Sequence, residues 1–362
     1  MNDEKLETLK SLYFDLLEET DEESTKQKRE LIEKITNSFS NIIPKDNGLI
    51  FHSGDNITRQ LTKYAHPLVN LNNQETTEQR AVVCVDLMDA KTNTPIKTPF
   101  SLYEKAVIQS VFSLIHAGNV SFTGAQLYRK MRGNSNAKPT EKALNDLHEV
   151  LMKLQSIRLH ISCTDANGNK SKEAIKILGF ESVNYPLFVF QAGKGKANEI
   201  LVKGKVPQWS YTLWAKPDLK TGAVDYCPFL TLQIKLNQYN ELKDDLLQIK
   251  NDNGKPVQLT NDRLSIVQCL LDFVITFNRA SGNLTNKKPY QDIFTQCKIK
   301  ITHAQQEKRF KEFILIVMNH FQNNGLIKEF SEYNNGRGVE IKTAKKPAKN
   351  QQKKKALSTG NR

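Results

Sequence analysis

SLYEKAVIQSVFSLIHAGNVSFTGAQLYRKMRG, residues 101–133, contains two helix starts and two helix stops. Ser101 and Glu104 form the Ser-x-x-Glu capping box, in which each side chain satisfies a backbone N–H that a helix start leaves orphaned. Val107, Val111, Phe112, Leu114 and Ile115 follow at helical spacing until Gly118-Asn119 ends the run. Short Ser121-Phe122 leads to Thr123, which opens a second helix through Leu127, Tyr128 and Met131, closed by Gly133. Pro139-Thr140 starts a third, with Leu144, Leu147, Leu151 and Leu154 on its inner face. The apolar period then changes from helical to alternating: Ile157, Leu159, Ile161 and Cys163 are separated by polar residues. Asp165-Ala-Asn-Gly168 is turn-forming, and the alternation of Ile175 and Ile177 predicts a returning strand. Three helices followed by a β-hairpin is the winged helix, a relative of the helix-turn-helix.

The order recurs downstream. Thr260 opens a helix with Leu264, Val267, Leu271, Val274 and Ile275 inward, and Tyr290 to Cys297 makes a short second helix. Thr302 with Gln305 reads as another capping box, ahead of a helix packing Phe310, Phe313, Ile314, Val317 and Phe321. Residues 326–330 and 339–342 flank an Asn334-Asn335-Gly336-Arg337-Gly338 tip, a second wing. The third helices match in register: Leu144, Leu147, Val150 and Leu151 lie 166 residues before Phe310, Phe313, Ile316 and Val317.

The expected fold class is therefore α+β, with two winged-helix domains, an N-terminal helical arm and a disordered basic tail. The expected boundaries are 1–45 for the arm, 46–98 for a connecting segment with a short strand (44–80 reading as loop), and 99–235 for the first winged helix with extra strands. The second winged helix takes 236–344 and the Lys-rich tail 345–362. Within this scheme Leu201-Val202-Lys203 and residues 211–214 read as strands, and 236–250 as helix.

Net charge is +13, unevenly spread: residues 1–35 hold eleven acids against six bases, a local −5, leaving +18 on the rest. A basic body of that size favours a polyanion as partner. No apolar run reaches the roughly 20 residues that span a bilayer, and the N-terminus lacks a signal-peptide pattern. The expected location is cytoplasmic. The five cysteines (Cys84, Cys163, Cys227, Cys269 and Cys297) lie far apart, a spacing suited to free thiols rather than a disulfide framework or zinc site.

Catalytic signatures are missing. The Gly-Lys pairs at 193–194, 195–196, 204–205 and 254–255 are followed by Gly, Ala, Val and Pro. None supplies the hydroxyl with which a P-loop holds magnesium. The seven histidines form no His-x-His pair for a metal-dependent nickase, and none has the Arg three residues on that a tyrosine recombinase needs. The expectation is a binder and not an enzyme, with no catalytic residue, metal or cofactor.

Phe100 to Val107, Ser113-Leu114, Ala117-Gly118-Asn119, and Phe122-Thr123 with Leu127 to Gly133 together resemble winged-helix replication initiators of bacterial plasmids and integrative mobile elements, mainly of low-GC Gram-positive type. The proline usual in that family's first helix turn is Leu102 here. The resemblance implies DNA replication as the process, repeated origin sites as target, and a homodimer and host replication proteins as partners. From the residues themselves, base-edge readers belong at the start of a recognition helix, where Gln and Arg make bidentate contacts to adenine and guanine. The candidates are His303, Gln305, Gln306 and Arg309, with Lys298, Lys300, Lys308 and Lys311 on phosphates and Arg337 at the wing tip. The first unit offers Lys138, Lys142, Arg129 and Arg132. A transcriptional repressor or partition protein, a protein–protein scaffold, and a nuclease or primase with an unrecognised metal site remain alternatives.

Overall fold

The computed structural model describes residues 48–52, 56–71, 81–165, 167–194, 209–213, 225–236, 239–279 and 286–342. The acidic arm, residues 201–203 and the Lys-rich tail lie outside them.

The chain is α+β. Among the described residues it has nine α-helices and four separate sheets. The N-terminal part contributes β1 (Leu49–His52), α1 (Asn56–Leu61), β2 (Leu68–Asn70) and β3 (Val82–Asp89). Residues 44–80, expected to be loop-like, thus contribute two strands and a helix, and β3 is longer than the short strand expected within 46–98. The loop-like stretch buries Ile50, Phe51, Ile57 and Leu61 despite its Asn- and Thr-rich text.

The first unit follows: α2 (Leu102–His116), β4 (Ser121–Thr123), α3 (Gly124–Met131), α4 (Glu141–Gln155), β5 (Ile157–Ser162), α5 (Lys172–Leu178), β6 (Ser182–Pro186), β7 (Phe190–Lys194) and β8 (Trp209–Leu213). The three helix starts read from sequence are present. Ser101 and Thr123 both form complete capping boxes, with Glu104 and Gln126, and Thr140 caps α4.

The hairpin expected after α4 is not there. Ile175 and Ile177 lie in helix α5, capped by Ser171 and ended by Gly179 at φ 84°. Ala174 and Leu178, four residues apart, are its buried positions. In so short a segment the two isoleucines fit either period, and burial at i and i+4 decides for the helix. Strand β5 instead joins the four-stranded sheet β2-β3-β5-β6. The first unit's hairpin is β7–β8, which pairs with β4 in the order β4-β8-β7.

The remaining elements are α6 (Pro228–Lys235), β9 (Asn240–Lys243), a 3-10 turn (Asp244–Leu247), α7 (Asn261–Arg279), β10 (Lys287–Pro289), α8 (Tyr290–Gln296), α9 (Ala304–Asn323), β11 (Glu329–Tyr333) and β12 (Gly338–Lys342). The helix expected over 236–250 is a strand and a 3-10 turn. β9 pairs with β1, which draws this segment toward the N-terminal part of the chain. The polar run Asn240-Glu-Leu-Lys243 has one half-exposed apolar residue and gains its backbone partners only from β1, a long-range pairing that local periodicity does not report.

The two units share one path. A long helix, a three-residue strand, a short helix, a long helix and a hairpin form sheets ordered first-third-second, β4-β8-β7 and β10-β12-β11. The offset of 166 read from the apolar positions also maps Ser121 onto Lys287 and Gly124 onto Tyr290, the starts of matching strands and helices. Along α4 and α9 it pairs buried Leu147 with buried Phe313, and Leu151 with Val317. The first unit differs by inserting β5-α5-β6 between its third helix and its hairpin.

Helices α2 and α7 pack on each other and carry the join between units. Both are buried on nearly all sides, the pattern of a central helix. Here Lys105, fully buried, meets Asp272 at 2.5 Å. At a second contact, Gly133 (φ 55°) lies so close to the 3-10 turn that an added Cβ would fall 1.9 Å from the Asp244 carbonyl oxygen. Burial forms one continuous core from Ile50 to Ile341.

Candidate nucleic-acid interface

The site is built on α9. Its cap lies one residue later than Thr302-Gln305 predicts. His303 is the N-cap, in extended conformation, and its Nδ1 accepts the Gln306 N–H at 3.1 Å. Thr302 donates both its N–H and its hydroxyl to Gln306 Oε1, at 2.9 Å each. A histidine ring replaces the expected hydroxyl, so the Thr-x-x-Gln text points to the wrong pair. Gln306 therefore has a structural duty, and its carbonyl oxygen is occupied.

Gln305, Lys308, Arg309 and Glu312 are exposed. At spacings of three and four they form one solvent-facing stripe along α9. Phe313, Ile314, Val317 and Phe321 on the other side are buried. Lys311 sits at the margin, paired to Glu307 at 2.9 Å and 5.3 Å above the Tyr290 ring. Its charge is partly spent within the protein.

Before α9, Lys298 ends α8 in the left-handed region at φ 57°. Its N–H reaches the Thr295 carbonyl at 3.1 Å, while that of Ile299 reaches Phe294 at 2.9 Å, the bond pair of a Schellman cap. This geometry favours glycine, yet lysine holds it, exposed beside exposed Lys300.

The second hairpin turns through Asn334, Asn335 and Gly336, all with positive φ. Arg337 is anchored by its backbone, its N–H on the Tyr333 carbonyl and its carbonyl accepting from Tyr290 N, each at 3.1 Å. Its side chain is exposed. Tyr290 Oη donates to Glu332 at 2.5 Å, fixing the hairpin to α8; burial, then this bond, raises the phenol's pKa.

The first unit presents a poorer face. Lys138 and Lys142 are exposed near the start of α4. They share that surface with Glu141 and Glu149, also exposed. Arg129 Nε donates to the Ala137 carbonyl at 3.1 Å, closing the α3–α4 loop. Arg132 is only 8% exposed; its guanidinium lies 3.6 Å from the Tyr128 ring centroid, and Nε donates to the Leu259 carbonyl at 3.2 Å. Burial pushes its pKa below the usual arginine value. Arg132, read from sequence as a DNA contact, is thus held at the joint between the two units and not on an open basic face. Local sequence shows only a basic helix end; the partners of that end lie more than a hundred residues away.

Sequence reasoning read β8, as a strand over 211–214, but missed β7 and the hairpin the two form. The signal was present: Phe188, Phe190 and Ala192, then Tyr211 and Leu213, alternate with more polar neighbours. Between the strands the sequence carries Lys196, Lys203 and Lys205, outside the described residues. On α4, His148 stacks on Trp209 at 3.6 Å, seating that helix on β8.

No group of three or more His, Cys, Asp or Glu side chains suited to a metal occurs among the described residues, and no described helix is long and apolar enough to cross a membrane. The five thiols are free, with Cys163, Cys227 and Cys269 buried.

No family model matches the chain. No curated protein matches it either. Among solved structures it is similar to domains 2 and 3 of RctB. One such structure is 11% identical, covers 78% of this chain and 92% of that one, and gives a TM-score of 0.35. A second, of residues 155–483, is also 11% identical, covers 77% and 91%, and scores 0.33. At those scores the likeness carries no inference about function.

Proposed function

We propose that the chain is a sequence-specific binder of double-stranded DNA, built on two winged helices, that acts as a replication initiator of a plasmid or related mobile element. The observation that carries the DNA reading is the exposed Gln305, Lys308 and Arg309 stripe on α9. It is seated on a three-stranded sheet whose hairpin tip exposes Arg337. A helix of this kind fits the major groove with its first turns at the base edges, and a hairpin arginine suits the adjacent minor groove. Lys298 and Lys300 flank the stripe for phosphate contact. The net charge of +13 supports the same partner.

The initiator role rests on the sequence resemblance over residues 100–133. The chain is read as a binder without catalysis. Two units of like topology fit repeated sites, with α9 the reader and the mixed-charge α4 the weaker partner. The test of DNA binding is affinity for duplex DNA as salt rises. Neutralising about 6–10 phosphates predicts a fall of roughly 10³–10⁵ between 50 and 200 mM. A flat response contradicts it. Footprinting on the gene's upstream DNA separates the roles: direct repeats beside an AT-rich segment support an initiator, whereas one palindrome over a promoter indicates a repressor.

A further inference from the structure

A cleft of about 600 Å³ opens beside the join of the two units; no residue of α9 lines it, and Lys298, which flanks the α9 stripe, stands at its wall. Its walls come from α1 and the residues after it, from α7, and from β10 and α8. Arg59, Lys63, Lys287, Lys288 and Lys298 surround it, against the acids Asp272 and Asp292. Asp272 is already held by buried Lys105 at 2.5 Å, so its charge is answered from behind. Lys287 leans on Glu340 at 3.9 Å, while Lys63 and Lys288 repel each other across the cleft wall and are the cations assigned to the ligand. Lys63 has a lowered pKa, first because surrounding groups displace solvent, then because Arg59 and Lys288 crowd it. Like charges brought together in this way are relieved by an anion.

The rest of the lining mixes aromatic and apolar side chains with the polar Thr62, Thr276, Thr295 and Gln296. Phe273 and Phe277 are half-buried on one face of α7, and Tyr64 stands 60% exposed at the edge, one of few large apolar side chains left open. Cation clusters beside aromatic faces suit a ligand that joins phosphate to a planar ring. The volume lies in the range of about 300–1,000 Å³ typical of small-molecule sites.

We propose that this cleft binds a phosphorylated small molecule of the nucleotide class, with phosphate at Lys63 and Lys288 and the ring against Phe273, Phe277 and Tyr64. The reading is independent of DNA recognition by α9. It gives the chain a second anion site beside the join between its units.

Calorimetric titration of the full chain with ADP, pyrophosphate and adenosine as separate probes tests it. The expected result is one ADP bound per chain, more tightly than either pyrophosphate or adenosine. Lys63→Gln with Lys288→Gln should weaken ADP by about tenfold or more, as loss of charge-assisted contacts does. Tyr64→Ala should weaken ADP and leave pyrophosphate unchanged, and a melting curve checks that this variant of an exposed residue is folded. Lys308→Gln on α9 should leave ADP binding intact. Absence of ADP binding, equal affinity for ADP and pyrophosphate, or indifference to the Lys63 and Lys288 changes would overturn the proposal. So would loss of duplex affinity in the double variant without any nucleotide binding, which would assign the cleft to DNA backbone.

Discussion

Lys105 Nζ of the first unit lies 2.5 Å from Asp272 Oδ1 of the second, and His52 Nε2 stands 3.2 Å from the same oxygen. Three separated parts of the chain thus meet on one carboxylate. Burial acts to raise the Asp272 pKa, but the Lys105 ammonium and the His52 contact win and hold it at about 2. A buried pair of this kind is weak evidence of net stabilisation, since desolvation offsets much of the attraction. Its consequence here is a fixed relation between α2 and α7.

Breaking the pair one-sidedly should therefore be costly. Asp272→Asn leaves the fully buried Lys105 ammonium without its counter-ion and should lose about 3–5 kcal/mol. Lys105→Met with Asp272→Leu should recover most of that. In the native protein the carboxylate's contribution is complete above pH 3.8, the unperturbed value, and declines as pH falls toward 2. Urea denaturation of the variants, and of the wild type across that acid range, measures both effects. A double variant as weak as Asp272→Asn would show that the pair does more than neutralise itself.

Gly133→Ala should be more damaging than a loop glycine usually is. The residue has φ 55°, and an added Cβ would sit 1.9 Å from the Asp244 carbonyl oxygen. Strain and clash add, so α3 must move off the 3-10 turn. Gly168→Ala, also at positive φ but with open space around it, is the control. Its cost should be about 1 kcal/mol, and thermal melts should place Gly133→Ala well below it.

His320 makes stability pH-dependent near neutrality. Its Nε2 donates to the Leu246 carbonyl at 3.0 Å, tying α9 to the 3-10 turn. Burial lowers its pKa below 6.5, the Leu246 bond opposes, Lys250 adds to the lowering and Asp245 opposes it. The folded state keeps the ring neutral while the unfolded chain takes up a proton below 6.5, so this stability is present above 6.5 and is lost as pH falls. His320→Gln should be less stable at neutral pH and flatter between about pH 7 and 5. A curve that keeps its slope in the variant would place the titrating group elsewhere.

On α9 the structure divides residues that look alike in sequence. Arg309→Ala and Gln305→Ala should each cost about 1–3 kcal/mol at a preferred site and less on random DNA. Lys328→Ala, exposed ahead of the second hairpin, should weaken both more evenly. Gln306→Ala should lower thermal stability by about 1 kcal/mol through the lost cap, so its effect on DNA needs correction for folding. Arg337→Ala should hurt AT-rich sites most, where the minor groove is narrow. Paired titrations against preferred and scrambled duplexes at one salt concentration measure all five.

What was legible in the sequence was local. Ser101, Thr123 and Thr140 were read as helix starts because a cap and the apolar run behind it lie within a few residues, and all three cap helices. The 166-residue register between α4 and α9 was likewise visible from apolar spacing alone. What failed depended on distant partners or, at Gln306, on a histidine taking the place of the usual hydroxyl cap. Strand β5 lies between β3, far earlier in the chain, and β6, and the segment expected to return beside it at Ile175 and Ile177 is helix α5. Arg132 looks like a surface cation until Tyr128 and the Leu259 carbonyl close over it. Gln306 was chosen as a reader of bases, and only the placement of His303 shows it bound into the helix cap.

The most direct test of α9 as the reading element is selection from a random duplex pool by the full chain and by Arg309→Ala. The account predicts that the wild type enriches a defined motif and that Arg309→Ala enriches the same motif with one or two positions relaxed. Lys328→Ala should keep every position while binding less DNA. No enriched motif, or a motif unchanged in Arg309→Ala and degraded instead by Lys142→Ala, would contradict it.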